Sequence, residues 1–142
     1  MEKKLVKKGE FKHKKDYDIA YDFATNVYKH LREIIKSIIL FGSTAKDTAQ
    51  EKSDIDIIII VDDCTIKWDQ ELIAWYREEL GKILAGSSYS KKLHINTVTL
   101  SAFWNQVLIG DPVVINILRF GEPILDFGGF FRSKDVVFIS TK

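Results

Sequence analysis

A short run of β-branched residues near the middle of the chain constrains the fold more than any other feature. Residues 55–61 read IDIIIIV, and all but one of them are isoleucine or valine. An apolar run of this kind is typical of a strand that is buried on both faces of a sheet. The fold is therefore predicted to contain a central strand with helices packed over it.

Apolar spacing elsewhere in the chain predicts helices that alternate with strands. Asp111 followed by Pro112 is typical of a helix start, and Gly121 followed by Pro123 is typical of a helix end. Together these signals predict an α/β (α+β) domain whose mixed β-sheet has helices packed on it. Helices are predicted over residues 16–35, 43–48, 66–84, 101–109 and from 112 to Gly121, and strands over 36–41, 55–61, 93–100, 124–126 and 136–139.

Length and charge distribution predict one domain preceded by a basic arm. Residues 1–15 contain seven lysines, whereas the whole 142-residue chain has a formal net charge of only +1. We interpret residues 1–15 as a flexible arm and residues 16–142 as a single domain. Such an arm could contact nucleic acid or another polyanion, or it could be a solvated terminus.

Cysteine content and hydropathy indicate the compartment. Cys64 is the only cysteine, so no disulfide can form within the chain, which favours a reducing environment. No apolar run approaches the roughly 18 residues that a membrane helix needs. We therefore predict a cytoplasmic protein that does not contact a membrane.

Two aspartates at the start of the apolar run predict a metal site. Asp54 and Asp56 lie two residues apart, so their side chains project from the same face of a strand. Two adjacent carboxylates repel each other unless a cation lies between them. Oxygen ligands suit Mg²⁺, or Mn²⁺, which commonly binds one or two carboxylates together with substrate phosphates.

Gly42 and Ser43 predict a phosphate-binding turn that precedes the aspartate pair. Glycine allows a ligand to approach the backbone closely, and a helix beginning at Ser43 would offer free N–H groups to an anion. The Ser43 hydroxyl adds a further donor. A phosphate site beside a metal site predicts a nucleoside triphosphate bound with Mg²⁺.

These residues form a recognisable pattern. Gly42-Ser43, ten further residues and then Asp54-Ile55-Asp56 resemble the signature of the DNA polymerase β-like nucleotidyltransferase superfamily. The short chain resembles its minimal nucleotidyltransferase (MNT) branch, some members of which pair with HEPN-domain proteins and act as antitoxins. The resemblance implies a nucleotidyltransferase fold and Mg²⁺-dependent transfer of a nucleoside monophosphate, AMP from ATP, to a hydroxyl, plausibly on a HEPN-type partner.

The resemblance also implies a role for each matching residue. Asp54 and Asp56 would be catalytic and would bind the metal, whereas Gly42 and Ser43 would bind the β- and γ-phosphates. Lys46 would neutralise phosphate charge.

The chain departs from the family pattern on the next strand. The family usually supplies a third carboxylate there, but residues 93–100 read LHINTVTL and contain none. Asn96 is then a candidate metal ligand through its amide oxygen, and His94 is a candidate base.

Two rival functions and one possible assembly remain open at this stage. The missing carboxylate favours a catalytically silent MNT-like binding module, acting as an antitoxin or a nucleotide sensor. A metal-dependent glycosyltransferase with a DxD motif is the other rival, although the Gly42-Ser43 turn argues against it. The apolar cluster Phe127, Phe130 and Phe131 either packs on the domain or forms a contact with a partner or in a homo-oligomer.

Overall fold

The computed structural model describes residues 14–41 and 54–127 of the chain. Within these residues the elements follow the order α-β-β-α-β-α-α-β, and a single 3₁₀ turn at Arg32–Ile34 joins the first helix to the first strand. The elements are α1 (Lys14–Leu31), β1 (Ile35–Phe41), β2 (Ile55–Val61), α2 (Gln70–Ala85), β3 (Leu93–Thr99), α3 (Leu100–Leu108), α4 (Pro112–Phe120) and β4 (Glu122–Asp126).

The four strands form one mixed sheet in the order β3-β2-β1-β4. β1 runs antiparallel to both β2 and β4, whereas β2 and β3 are parallel. A parallel pair needs a long crossover connection, and here that connection contains α2. The predicted mixed sheet with helices packed on it is confirmed.

Helices cover both faces of this sheet, as the apolar run of β2 requires. Ile57 and Ile59 belong to the core cluster beneath α1 and α2, whereas Ile58 and Ile60 belong to the cluster beneath α3 and α4. All the β2 residues except Asp56 are buried. β2 is therefore a rigid central strand, and Asp56 is the polar position near its N-terminal end.

Two helix boundaries differ from the predicted ones. The first helix was predicted to extend to residue 35, but Ile35 is extended and pairs with Val61 at the start of β1. Helix α2 was predicted to begin at residue 66. It begins instead after Asp69, whose side chain accepts a hydrogen bond from the Leu72 N–H.

The intervening residues form a turn around Asp62. The Asp62 carboxylate accepts hydrogen bonds from the backbone N–H groups of Cys64 and Thr65. The backbone carbonyl of Asp62 accepts one from the Trp68 indole. These local hydrogen bonds compete with helical ones, which explains the late start of α2.

The remaining helix signals have different outcomes. Asp111 caps α4 by accepting a hydrogen bond from the Val114 N–H, and Pro112 occupies the first turn, as predicted. The predicted helix over 43–48 and the predicted strand over 136–139 lie outside the described residues. The same is true of residues 1–13, which include most of the basic arm.

Among the described helices, none has the length and apolar character needed to cross a bilayer.

Candidate functional site

The pairing of three neighbouring strands brings three side chains into one row. This row lies where β1 ends and where β2 and β3 begin. Phe41, at the end of β1, is paired with Asp56, and Asp56 is paired on its other side with His94 of β3. Paired residues of neighbouring strands project from the same face of a sheet. The row Phe41–Asp56–His94 therefore lies on the face that also carries Ile58 and the α3–α4 pair.

Asp54 and Asp56 are the acidic residues of this site. Asp54 directly precedes β2 and is exposed, whereas the Asp56 side chain retains 32% of its accessible surface. Alternation along the strand puts both side chains on one face. The buried remainder of β2 holds their backbone in place, and their exposure leaves the carboxylates accessible to a ligand.

The pair fits a hard divalent cation in type and number of ligands. Mg²⁺ is commonly held by one or two carboxylates, with water and phosphate oxygens completing its coordination. Within residues 14–41 and 54–127, no three His, Cys, Asp or Glu side chains are grouped so that they could hold a metal ion. Two carboxylates from Asp54 and Asp56 would leave the other positions around such a cation to water or phosphate oxygens.

His94 is in direct contact with Asp56. Its Nδ1 lies 3.1 Å from Asp56 Oδ1, and 65% of the His94 side chain is exposed. An ionised carboxylate only accepts hydrogen bonds, so Nδ1 is the protonated nitrogen when it bonds to ionised Asp56. This bond orients the Asp56 carboxylate, and the other ring nitrogen of His94, Nε2, takes no part in it.

Asn96 lies on the same face but in the next row. It is paired with Ile58 rather than with Asp56, which places its backbone about 6.6 Å further along β3 than that of His94. Asn96 also lines a groove between β3 and the α3–α4 pair. Its predicted role as a metal ligand remains a prediction, and the register puts His94 closer to Asp56.

The predicted phosphate-binding residues Gly42, Ser43 and Lys46 lie outside the described residues. Phe41, the residue before Gly42, is in the row with Asp56. The chain therefore leaves β1 directly beside the aspartate pair.

The sequence was compared with protein families. Residues 22–119 match the family model described as the nucleotidyltransferase domain, which is more than half of the chain. The chain belongs to the nucleotidyltransferase domain family. The matched segment contains β1, β2, β3 and therefore the complete Phe41–Asp56–His94 row.

Two solved structures are similar to this chain at low sequence identity. One is a crystal structure of a toxin–antitoxin with AMP-PNP, at 17% identity and a TM-score of 0.41, covering 82% of each chain. The other is a mutant of the toxin–antitoxin MntA-HpeT, at 16% identity and a TM-score of 0.45, covering 84% of this chain and 80% of that one. A search of curated proteins gave no match.

Two further acidic residues, which follow β2, have structural roles in this member of the nucleotidyltransferase domain family. Asp62 and Asp63 follow the opposite end of the strand, away from Asp54. Burial raises the pKa of Asp62, but hydrogen bonds from the Thr65 hydroxyl and from nearby backbone N–H groups outweigh it, so the pKa is lowered overall. The hydrogen bond from the Ser101 hydroxyl lowers the pKa of Asp63. Both carboxylates therefore stabilise local turns and helix starts.

One residue near the site was not singled out from the sequence. Gln106 of α3 lines the groove that contains Asn96. A glutamine on a short amphipathic helix carries no motif, and its position depends on how α3 packs against β3. Only the tertiary structure brings Gln106 and Asn96 to the same groove.

Proposed function

We propose that this chain transfers a nucleoside monophosphate, AMP from ATP, to a hydroxyl acceptor in a Mg²⁺-dependent reaction. The observation that carries this proposal is the position of two accessible carboxylates, Asp54 directly before β2 and Asp56 within it, where all other residues of the strand are buried. Carboxylates fixed in this way are suited to hold a cation against a substrate phosphate. Membership of the nucleotidyltransferase domain family supports the same reaction class.

In this proposal Asp54 and Asp56 hold Mg²⁺, or Mn²⁺, at the edge of the sheet. Bound there, the metal would supply charge stabilisation for the attacking and leaving oxygens at the α-phosphorus. Asp56 is oriented by the hydrogen bond from His94, and the buried part of β2 fixes the spacing of the two carboxylates. The residues thus contribute positioning and negative charge, which a phosphoryl-type transfer needs most.

The sequence after β1 would complete the nucleotide site. Gly42 and Ser43 follow Phe41, which is paired with Asp56. We assign Gly42 and Ser43 to the β- and γ-phosphates and Lys46 to neutralisation of their charge. The acceptor hydroxyl would be presented by another protein, with a HEPN-type partner as the candidate.

A second candidate function follows from β3. The residue beside Asp56 on that strand is His94, and no residue of β3 is a carboxylate. A site with two rather than three carboxylates would bind a metal less tightly, and a protein of this kind could bind the nucleotide without transferring any part of it. In that case the chain would be a silent binding module, an antitoxin or nucleotide sensor.

A labelling experiment separates these functions. The purified chain would be incubated with Mg²⁺, a HEPN-type candidate partner protein, and ATP labelled at either the α- or the γ-phosphate. Nucleotidyl transfer predicts protein labelling from α-labelled ATP alone. The labelling should disappear in the Asp54→Asn/Asp56→Asn variant.

The control variant is Asp22→Asn/Glu78→Gln, which also removes two negative charges, but from exposed positions on α1 and α2. It should label as the wild type does. Labelling from γ-labelled ATP would contradict nucleotidyl transfer, and ATP binding without any labelling would favour the silent module.

A further inference from the structure

We propose that the adenine base of the nucleotide binds in the groove between β3 and the α3–α4 pair, where the side-chain amides of Asn96 and Gln106 hydrogen-bond to its edge. This inference rests on the proposed function, because it assigns the base subsite of the same nucleotide. It adds the place where the base binds and two specificity-determining residues to that function.

The groove has the size and lining of a small-molecule subsite. Its volume is about 430 Å³, within the range of ligand pockets. Apolar side chains form most of its walls, among them Ile58, Val98 and Phe103. None of the described residues that line it is charged. Such a groove suits a flat, neutral heteroaromatic ring and is unsuited to a triphosphate.

The groove lies where the base of a nucleotide held at the aspartate pair could reach it. Asn96 and Ile58 form the row next to His94 and Asp56, on the same face of the sheet. Consecutive rows on one face of a sheet are about 6.6 Å apart. A nucleotide whose phosphates lie at Asp56 and whose sugar runs along β3 would therefore bring its base over Asn96.

The two amides supply the polar groups that the base requires. Each amide offers both a donor and an acceptor. Adenine presents its amino group beside a ring nitrogen, and asparagine and glutamine are the side chains that pair with this edge in two hydrogen bonds. In the described part of the chain, neither Asn96 nor Gln106 has a side-chain hydrogen bond to another residue. Among the described residues, both are exposed and their amides are accessible to a ligand.

The test compares three ligands in the presence of Mg²⁺ by calorimetry: a non-hydrolysable ATP analogue, the corresponding GTP analogue and inorganic triphosphate. They are titrated into the wild type, into Asn96→Ala/Gln106→Ala and into Asn105→Ala. Asn105 is the matched control, because it is exposed on the same helix as Gln106 but does not line the groove. Circular dichroism checks that each variant is folded.

The wild type is expected to bind the ATP analogue at least tenfold more tightly than inorganic triphosphate or the GTP analogue. The Asn96→Ala/Gln106→Ala variant should lose about tenfold in affinity for the ATP analogue, the cost of two neutral hydrogen bonds. Its affinity for inorganic triphosphate should not change. Asn105→Ala should match the wild type with all three ligands.

The failures are distinguishable. A wild type that binds neither inorganic triphosphate nor the ATP analogue overturns the proposed function and this subsite together. Equal binding of all three ligands, or a loss of triphosphate binding in the double variant, overturns the base subsite alone. Preference for the GTP analogue overturns the assignment to adenine.

Discussion

Replacing His94 with aspartate would put a third carboxylate beside Asp56. His94 is paired with Asp56 across β2 and β3, and its ring nitrogen already contacts the Asp56 carboxylate at 3.1 Å. The existing contact is largely exposed, so losing it should cost only a few tenths of a kcal/mol. The electrostatic effect of the new charge should therefore dominate.

The size of that effect follows from the strand spacing. Two unit charges about 5 Å apart repel by about 0.8 kcal/mol at the dielectric constant of water, and by about 3 kcal/mol at an effective value of about 20. Asp56 is only partly exposed, so the repulsion should fall between these limits. Without Mg²⁺, His94→Asp should lower the free energy of unfolding by this amount relative to His94→Asn, which adds no charge.

Saturating Mg²⁺ should reduce the difference in the free energy of unfolding between the two variants. Three carboxylates attract a divalent cation more strongly than two, and we expect His94→Asp to bind Mg²⁺ at least tenfold more tightly, or by about 1.4 kcal/mol. Urea denaturation at low ionic strength, followed by circular dichroism with and without Mg²⁺, measures both effects. If Mg²⁺ stabilises His94→Asp no more than His94→Asn, position 94 is not part of the cation site.

Two further predictions concern the stability of the fold that holds the site. Asp62→Ala should lower the free energy of unfolding by about 1–3 kcal/mol at neutral pH, because it removes the acceptor of the hydrogen bonds from Thr65. The pKa of Asp62 is lowered in the folded state, so its contribution is present above the ordinary aspartate pKa of about 3.9 and is lost as the pH falls through the folded value. Urea denaturation at several pH values should therefore show the difference from wild type shrinking in acid, and a constant difference would contradict the assignment. Gly121→Ala should cost about 1–3 kcal/mol, because a Cβ atom there would lie 2.5 Å from the Ile117 carbonyl oxygen and 2.7 Å from Ile39 Cγ2; a thermal unfolding midpoint equal to that of the wild type would refute this.

The elements with strong local signals could be predicted from the sequence. β2 is an unbroken β-branched run, and α4 begins with an N-cap aspartate and a proline, so both were located correctly. The start of α2 was placed four residues too early. The error arose because the hydrogen bonds that Asp62 accepts hold residues 62–65 in a turn, and apolar periodicity does not report such bonds.

The geometry of the site could be predicted only in part. Alternation along β3 puts His94 and Asn96 on one face, but a shift of two residues against β2 would preserve that face and place Asn96 beside Asp56 instead. Sequence pattern therefore predicts the face of the site but not its rows. The groove could not be predicted either, because it depends on how α3 and α4 pack against β3.

The most direct test of the account is a calorimetric titration of a non-hydrolysable ATP analogue into the wild type and into Asp54→Asn/Asp56→Asn, each with and without Mg²⁺. We predict binding by the wild type that requires Mg²⁺ and is lost in the folded double variant, whereas Asp22→Asn/Glu78→Gln binds as the wild type does. Binding that is independent of Mg²⁺, or unchanged in Asp54→Asn/Asp56→Asn, would contradict the claim that these two carboxylates form the nucleotide site.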